Sequence, residues 1–191
     1  MEEFISYLNK ISLLKEETLE ELQTLFTPIK LGKNEFFVRA GEYAEQIGFL
    51  TKGVVRAFFL HPAGKEYTKQ FFVAPSIIGA YTSLLTRQPN KIAQQGLTDC
   101  EILVADFAKI EAGYDKYHDL ERLGRKIAEY YFLEKEQKEI EMALLDADRC
   151  YLLMRERFPT LESLIPQYYI ASYLGITPTQ LSRIRRKLHQ T

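Results

Sequence analysis

The chain has 191 residues, of which 46% are hydrophobic and 27% charged, and its formal net charge is −1 at pH 7. No apolar run approaches the roughly 20 residues that span a bilayer, and the amino terminus lacks the basic start and apolar core of a secretory signal. We therefore expect a cytoplasmic protein without membrane association. Cys100 and Cys150 are too few for a disulfide framework or an iron–sulfur cluster.

The first part of the chain predicts two short helices. Apolar residues recur at helical spacing from residue 4 to residue 26, and Pro28 ends the pattern.

Between residues 29 and 105 the pattern changes to short β-rich runs separated by glycines. Many short strands at near-regular spacing are typical of a sandwich or barrel, so we predict an all-β domain. His61-Pro62-Ala63-Gly64 predicts a hairpin turn with His61 exposed. The expected strands are Glu35–Arg39, Ile47–Thr51, Val54–Leu60, Tyr67–Val73, Ala93–Leu97 and Glu101–Ala105.

After Asp106 the pattern predicts a long helix, because apolar residues follow one another at steps of three and four. From Leu133 onward the stripe thins into a highly charged stretch. A narrow apolar seam with charged flanks suits a dimer interface, but the same face can pack against the chain's own barrel, and the pattern favours neither. The stripe consists of Leu120, Leu123, Ile127, Tyr130 and Tyr131.

Asp146 is a suitable N-cap for a second helix, which Pro159 stops after Phe158. The residues from Pro159 to Pro166 then form a short connector. That connector has no room for a strand pair, and the chain ends soon after Leu188, so we expect any wing beside the last helices to be truncated.

The segment Ile170–Leu188, IASYLGITPTQLSRIRRKL, has the pattern of a helix-turn-helix. The motif needs a small residue where two helices cross, a residue that tolerates positive φ in the turn, and apolar positions on the second helix. Ala171, Gly175 and Leu181 meet these needs in order. Thr177 can cap the second helix and Pro178 suits its first position. The remaining core positions are Ile170, Leu174, Ile176, Ile184 and Leu188.

Charge is distributed unevenly along the chain. Residues 167–191 contain four basic and no acidic side chains, which leaves 21 basic and 26 acidic residues upstream, so a segment of +4 follows a body of −5. A basic helix of this kind is often only a solvated surface, but here spacing, cap, turn glycine and missing acids agree on double-stranded DNA as the partner.

In a major groove, Thr179, Gln180 and Arg183 would share the face that meets the bases. Arg183 could pair with guanine O6 and N7, and Gln180 could read adenine. The residues expected to hold the DNA backbone are Thr177, Ser182, Arg185, Arg186 and either Tyr168 or Tyr169.

The order of the predicted elements along the chain resembles that of the Crp/Fnr superfamily, the cyclic-AMP receptor protein and its relatives. Besides the helix-turn-helix, the stretch Phe36–Phe59, FFVRAGEYAEQIGFLTKGVVRAFF, is similar to the family's opening strands. The resemblance implies an α+β fold with a jelly-roll (double-stranded β-helix) domain over residues 1–115, a dimerisation helix over 116–145 and a helix-turn-helix domain over 146–191. It also implies a homodimeric transcription regulator, with RNA polymerase as a further partner. For the long helix, the resemblance favours a dimer seam formed by the apolar stripe Leu120, Leu123, Ile127, Tyr130 and Tyr131.

Family members that bind cyclic nucleotides present a Gly-Glu pair and then Arg-Ser or Arg-Thr, in a stretch that corresponds here to Ile77–Gln95. Ala80 stands in place of Glu, and Asn90-Lys91 in place of the second pair. Ala80 cannot accept a ribose hydrogen bond, and neither Lys91 nor Arg87 reproduces the bidentate fork, so we expect no cyclic AMP binding. Any effector is unidentified, and its expected pocket comprises Gly79, Ala80, Tyr81, Thr82, Ser83, Asn90, Lys91 and Ile92.

Other functions have less support in the residues. His61 is the barrel's single histidine, which does not supply the ligand cluster of a metal oxygenase, and no zinc spacing, phosphate loop or nucleophile elbow occurs. Cys100 and Cys150 are expected to be buried structural thiols. We therefore predict no enzyme activity, no metal and no cofactor. The alternative is a sensor or interaction module that binds a small molecule or a protein without DNA.

Overall fold

The computed structural model describes residues 1–61 and 64–189. Two helices, α1 (Glu2–Ile11) and α2 (Glu16–Leu25), precede eight strands and two short helices. A helix of 27 residues, α5 (His118–Leu144), then leads to a helical carboxy-terminal part. The described elements between α2 and α5 are β1 (Thr27–Leu31), β2 (Phe36–Val38), β3 (Gln46–Lys52), β4 (Val54–Leu60), β5 (Glu66–Val73), β6 (Ser76–Ile78), α3 (Tyr81–Thr86), β7 (Ala93–Gly96), β8 (Cys100–Asp106) and α4 (Phe107–Ala112).

The strands form two antiparallel sheets of four, in the orders β1-β8-β3-β6 and β2-β7-β4-β5. Alternation along each strand directs one set of apolar side chains between the sheets. Leu50 and Ile102 of the first sheet meet Val55 and Phe72 of the second in this inner core. The predicted jelly-roll domain is therefore confirmed.

Two strands were not predicted, and the region is not purely β. Strand β1 contains Pro28, which has no amide hydrogen to donate, but β1 lies at a sheet edge, where proline is tolerated. Strand β6 has only three residues, too few to show alternation. Helix α3 interrupts the strands. The hairpin between β4 and β5 is confirmed by their pairing, and its turn residues Pro62 and Ala63 lie outside the described residues.

Helix α5 corrects the predicted dimer seam. Leu120 and Leu123 are 4% and 3% exposed, packed with α1 and the outer face of the first sheet. Ile127 and Tyr131 pack on the same cluster, and the Tyr131 hydroxyl donates to the carbonyl of Ile77 at 2.9 Å. This face of α5 is therefore part of the chain's own core, because it packs on apolar residues of α1 and of the first sheet. Of the predicted stripe, Tyr130 is exposed.

The described residues after β8 form helices without strands, namely α6 (Ala147–Arg157), α7 (Leu161–Leu164), α8 (Gln167–Leu174) and α9 (Pro178–His189), which follow α4 and α5. The predicted cap is confirmed, because the Asp146 carboxylate accepts from the Arg149 amide at 2.8 Å. The predicted connector is not entirely irregular: α7 lies within it and buries Leu161 completely. The expected truncation of the wing stays a prediction.

Three further observations bear on chemistry. Cys100 is buried as predicted, whereas Cys150 is only partly buried. Burial raises the pKa of both thiols, which suits structural cysteines. Within residues 1–61 and 64–189, no group of three or more His, Cys, Asp or Glu side chains is placed to hold a metal ion. Over the same residues, no helix is both long and apolar enough to cross a membrane.

Candidate nucleic-acid interface

Helices α8 and α9 form a helix-turn-helix. Helix α8 ends at Gly175, whose φ of 70° lies in the left-handed region that glycine enters without strain. The Ile176 amide then bonds back to the carbonyl of Ala171 at 3.0 Å. Ala171 is 1% exposed, and Leu181 from α9 is fully buried beside it. The small side chain at Ala171 therefore allows the close helix crossing that its position predicted.

The start of α9 is closed by a capping box. The Thr177 hydroxyl accepts from the Gln180 amide at 3.2 Å, and the Gln180 side-chain carbonyl accepts from the Thr177 amide at 2.9 Å. This reciprocal pair gives hydrogen-bond partners to the backbone amides of Thr177 and Gln180, which have no partner within the helix at its start. Because Gln180 Oε1 is engaged in the cap, Gln180 cannot make the bidentate contact by which glutamine reads adenine while the box is closed.

The outer face of α9 is open to solvent. Thr179, Ser182, Arg183 and Arg186 are all exposed, on the side of the helix away from the buried Leu181 and Ile184. Neither Arg183 nor Arg186 forms an ion pair within the described part of the chain. Their guanidinium groups are therefore available to an external anion or base edge.

Two residues predicted to contact DNA are occupied elsewhere. Tyr169 is 7% exposed, and its ring lies against the Arg56 guanidinium of the barrel at 4.1 Å. Arg185 is half-buried and lies 3.5 Å from a carboxylate oxygen of Glu162. The packing of α8 on the barrel accounts for Tyr169, and the acid on α7 accounts for Arg185. Tyr168, which is 52% exposed, remains the accessible tyrosine of the pair.

The segment predicted to hold an effector, residues 79–92, is tied together by its own polar groups. Asn90 is buried, and its side chain bonds both the amide and the carbonyl of Ile92. The Ser83 hydroxyl donates to the Gln88 carbonyl at 2.6 Å and accepts from the Ala44 amide at 3.1 Å. These side chains therefore hold the loop, and their polar atoms are already used.

The two cationic side chains of the effector segment, Arg87 and Lys91, do not form an anion-binding site inside the barrel. Arg87 is exposed and forms an ion pair with Glu111 of α4 at 2.6 Å, and Lys91 is exposed as well. Ala80, at the position of the family's glutamate, is buried and offers no acceptor in its side chain. The other predicted pocket residues lie in helix α3 or close to it along the chain, namely Gly79, Tyr81, Thr82 and Ile92. The expectation that cyclic AMP does not bind stays a prediction.

One polar residue of the barrel interior, Gln94, was not predicted from the sequence. Gln94 follows the effector segment on β7, is 3% exposed, and its Oε1 atom has no hydrogen-bond partner within the described residues. It pairs in register with Ala57, whereas its neighbour Gln95 pairs with Arg56 and bonds that side chain on the opposite face. Gln94 therefore faces the barrel interior. A run of two glutamines in a strand gives no sequence signal for which one is inside.

No protein-family model and no curated protein matches the chain. Solved structures do. FixK2 from Bradyrhizobium japonicum is 18% identical over 86% of this chain and 85% of its own, with a TM-score of 0.74. The c-di-GMP-responsive global regulator CLP from Xanthomonas campestris is 15% identical over 92% of both chains, with a TM-score of 0.69. A protein assigned to the Crp/Fnr family from Eubacterium rectale is 12% identical over 92% of this chain and 84% of its own, with a TM-score of 0.73.

Each alignment covers more than four fifths of both chains, so the similarity includes parts of both the barrel and the helical carboxy-terminal part. At such low identity the shared property is the arrangement of elements. The chain therefore has the fold of the Crp/Fnr regulators, with a jelly-roll domain, a long connecting helix and a carboxy-terminal helix-turn-helix.

Proposed function

We propose that the protein is a DNA-binding transcription regulator of the Crp/Fnr type that acts as a homodimer. The observation that carries this proposal is the outer face of α9, where Thr179, Arg183 and Arg186 are exposed on a helix with a closed cap. An exposed cationic face on the second helix of a helix-turn-helix is suited to a major groove.

Within that groove, the residues near the start of α9 would meet base edges and the later ones phosphates. Arg183 is the base reader in this proposal, with a bidentate contact to guanine, and Thr179 lies one turn before it. The remaining exposed candidates, Thr177, Ser182, Arg186 and Tyr168, would hold the backbone. Gln180 would support the cap in preference to reading adenine.

The proposed dimer contact lies on the second half of α5. Tyr130, Leu133, Gln137, Ile140 and Leu144 follow one another at alternating steps of three and four, the spacing of a coiled-coil seam. All five are exposed, and Leu144 reaches 78%. Apolar side chains this open on one helix face are suited to a symmetric partner helix.

A symmetric dimer presents two recognition helices, so the expected operator is a palindrome with half-sites about 34 Å apart. RNA polymerase is an expected further partner, and chromosomal DNA as target implies a cytoplasmic location. An effector that enters the barrel would bind near residues 79–92, and the Gln94 amide carbonyl offers it an acceptor. Such an effector would carry an N–H or O–H donor at that point.

The test is selection of genomic DNA fragments on the purified protein, followed by gel-shift titration of the retained fragments at several salt concentrations. Salt-sensitive, sequence-selective retention of palindromic fragments supports the regulator. A complete lack of selective retention contradicts it and favours a sensor module without DNA.

A further inference from the structure

The edge of the second sheet is covered by the helix-turn-helix. Within residues 1–61 and 64–189, strand β5 pairs only with β4 in that sheet, so alternate backbone groups on its other side have no strand partner there. The Ser172 hydroxyl of α8 donates to the Glu66 carbonyl and accepts from the Thr68 amide, both at 2.9 Å. Lys138 of α5 donates to a further carbonyl of β5, that of Lys69 at the register shift, at 2.6 Å. Side chains thus replace a missing strand.

Beside this edge, a buried arginine joins the barrel to α8. The Arg56 side chain is 3% exposed, and its guanidinium lies between the rings of Phe58 at 3.7 Å and Tyr169 at 4.1 Å. Its Nη1 donates to Glu66 at 2.6 Å, while Nε and Nη2 both donate to the side-chain carbonyl of Gln95. Each guanidinium nitrogen therefore donates to a barrel residue, and the guanidinium also contacts one ring of the barrel and one tyrosine of the helix-turn-helix.

The same interface continues as a shared apolar core. Phe71 of β5 is 1% exposed and packs against the rings of Tyr173 at 5.1 Å and Phe158 at 6.2 Å. Ile170 and Leu181, which join α8 to α9, are fully buried in the same cluster. Because α9 packs on α8 through these residues, its direction relative to the barrel is set where α8 meets β5.

We propose that the β5–α8 contact positions the recognition helix for DNA. It is made of Glu66 and Thr68 of β5, Tyr169 and Ser172 of α8, and Arg56 of the neighbouring strand β4. None of these residues meets the DNA; they act by fixing the direction of α9. The inference rests on the proposed function, because it assigns how the two recognition helices of the dimer keep their separation. Helix α5 joins the protomers, the barrel packs on α5, and the β5–α8 contact joins the barrel to α9.

The contact positions α9 and does not block it. With all its hydrogen bonds in place, Thr179, Arg183 and Arg186 remain exposed on the opposite side of the module. A contact that inhibited DNA binding by occlusion would cover this face. Loss of the contact should therefore loosen α9 and weaken selective binding, because the loosened helix samples directions that do not fit both half-sites.

The decisive variant is Ser172→Ala, which removes the hydroxyl that bridges two groups of β5. Alanine is the best helix former, so α8 itself keeps its stability. Ser172→Thr keeps a hydroxyl and is the rescue variant. Ser163→Ala is the matched control, since Ser163 also bonds a carbonyl, that of Thr160, but lies away from β5. Glu66→Gln, which removes the charge facing Arg56, tests the second part of the contact.

Two measurements separate this inference from the proposed function. The first uses no DNA: amide hydrogen exchange over residues 167–188 should accelerate at least tenfold in Ser172→Ala and Glu66→Gln, and stay unchanged in Ser163→Ala. The second compares affinity for a selected operator with affinity for random DNA of equal length. We expect operator affinity to fall at least tenfold in Ser172→Ala, random-DNA affinity to change less than twofold, and Ser172→Thr to restore the ratio.

Unchanged exchange in both variants would overturn the inference, whether or not the wild type binds DNA. Tighter operator binding by Ser172→Ala would overturn it too, because the contact would then restrain the helix. Equal loss on operator and random DNA would indicate general destabilisation and likewise contradict a positioning role. If exchange accelerates but the wild type selects no operator, the mechanical part of the inference stands and the proposed function fails.

Discussion

Replacing Leu133 by alanine should shift the protein from dimer to monomer. Leu133 is the second of the five residues of the proposed seam and is 61% exposed in the single chain. Full burial of a leucine side chain contributes about 1.5–3 kcal/mol, so burial of this exposed part contributes about 1.5 kcal/mol. A symmetric dimer contains the residue twice, which gives about 3 kcal/mol, or about a 100-fold increase in the dimer Kd.

Sedimentation velocity over a concentration series measures that Kd directly. The matched control is Phe132→Ala, because Phe132 is 62% exposed but lies about 100° around the helix from Leu133. The dimer Kd of the Phe132→Ala variant should change less than threefold. Alanine is a strong helix former, so neither variant should unfold α5. An equal or larger effect of Phe132→Ala, or a wild type that is monomeric at high concentration, would refute the seam.

Three further outcomes are expected. Arg183→Ala should abolish sequence preference in gel shifts, whereas Arg186→Ala should weaken binding to every sequence and reduce its salt slope; equal loss of selectivity in both would contradict the assigned roles. Asp146→Ala should cost about 1 kcal/mol through loss of the α6 cap and lower Tm by about 2–4 °C, measured by calorimetry. The control is Asp115→Ala, because Asp115 is exposed in the turn before α5. Burial, aided by Arg157 and Lys69, lowers the pKa of Lys138 to about 7 from 10.5. The folded state therefore holds this proton less tightly than the unfolded chain, and the Lys138 contribution to the free energy of unfolding should rise between pH 7 and 10.5, by up to about 1.4 kcal/mol per pH unit. Lys138→Met should flatten that part of the denaturant-derived stability profile, and an unaltered slope would exclude Lys138 as its source.

Local chemistry made much of the carboxy-terminal part predictable from sequence. A cap at Asp146, a left-handed turn at Gly175 and a capping hydroxyl at Thr177 each depend on neighbours within four residues, and the structure confirms all three. Strand β4 was predicted with its observed ends, because it has a long β-rich run bounded by glycine and a turn.

Properties that depend on distant parts of the chain were not predictable. The stripe at Leu120 and Leu123 has the same spacing whether it faces a partner or its own barrel, and the packing of α1 and the first sheet against it decides. The role of Tyr169 depends on Arg56, which lies 113 positions earlier in the chain. For Gln180, the sequence permits both a base contact and a capping box, and the side-chain geometry selects the box.

The cover on β5 also limits how the protein can be divided. A barrel fragment that ended after α5 would lose Ser172, and with it the groups that satisfy the carbonyl of Glu66 and the amide of Thr68. It would also expose Phe71 along an unpaired strand, a combination that invites strand-to-strand association between copies. Chimaeras that graft a foreign helix-turn-helix onto this barrel should therefore stay monodisperse only if the graft brings its own hydroxyl and ring to that edge.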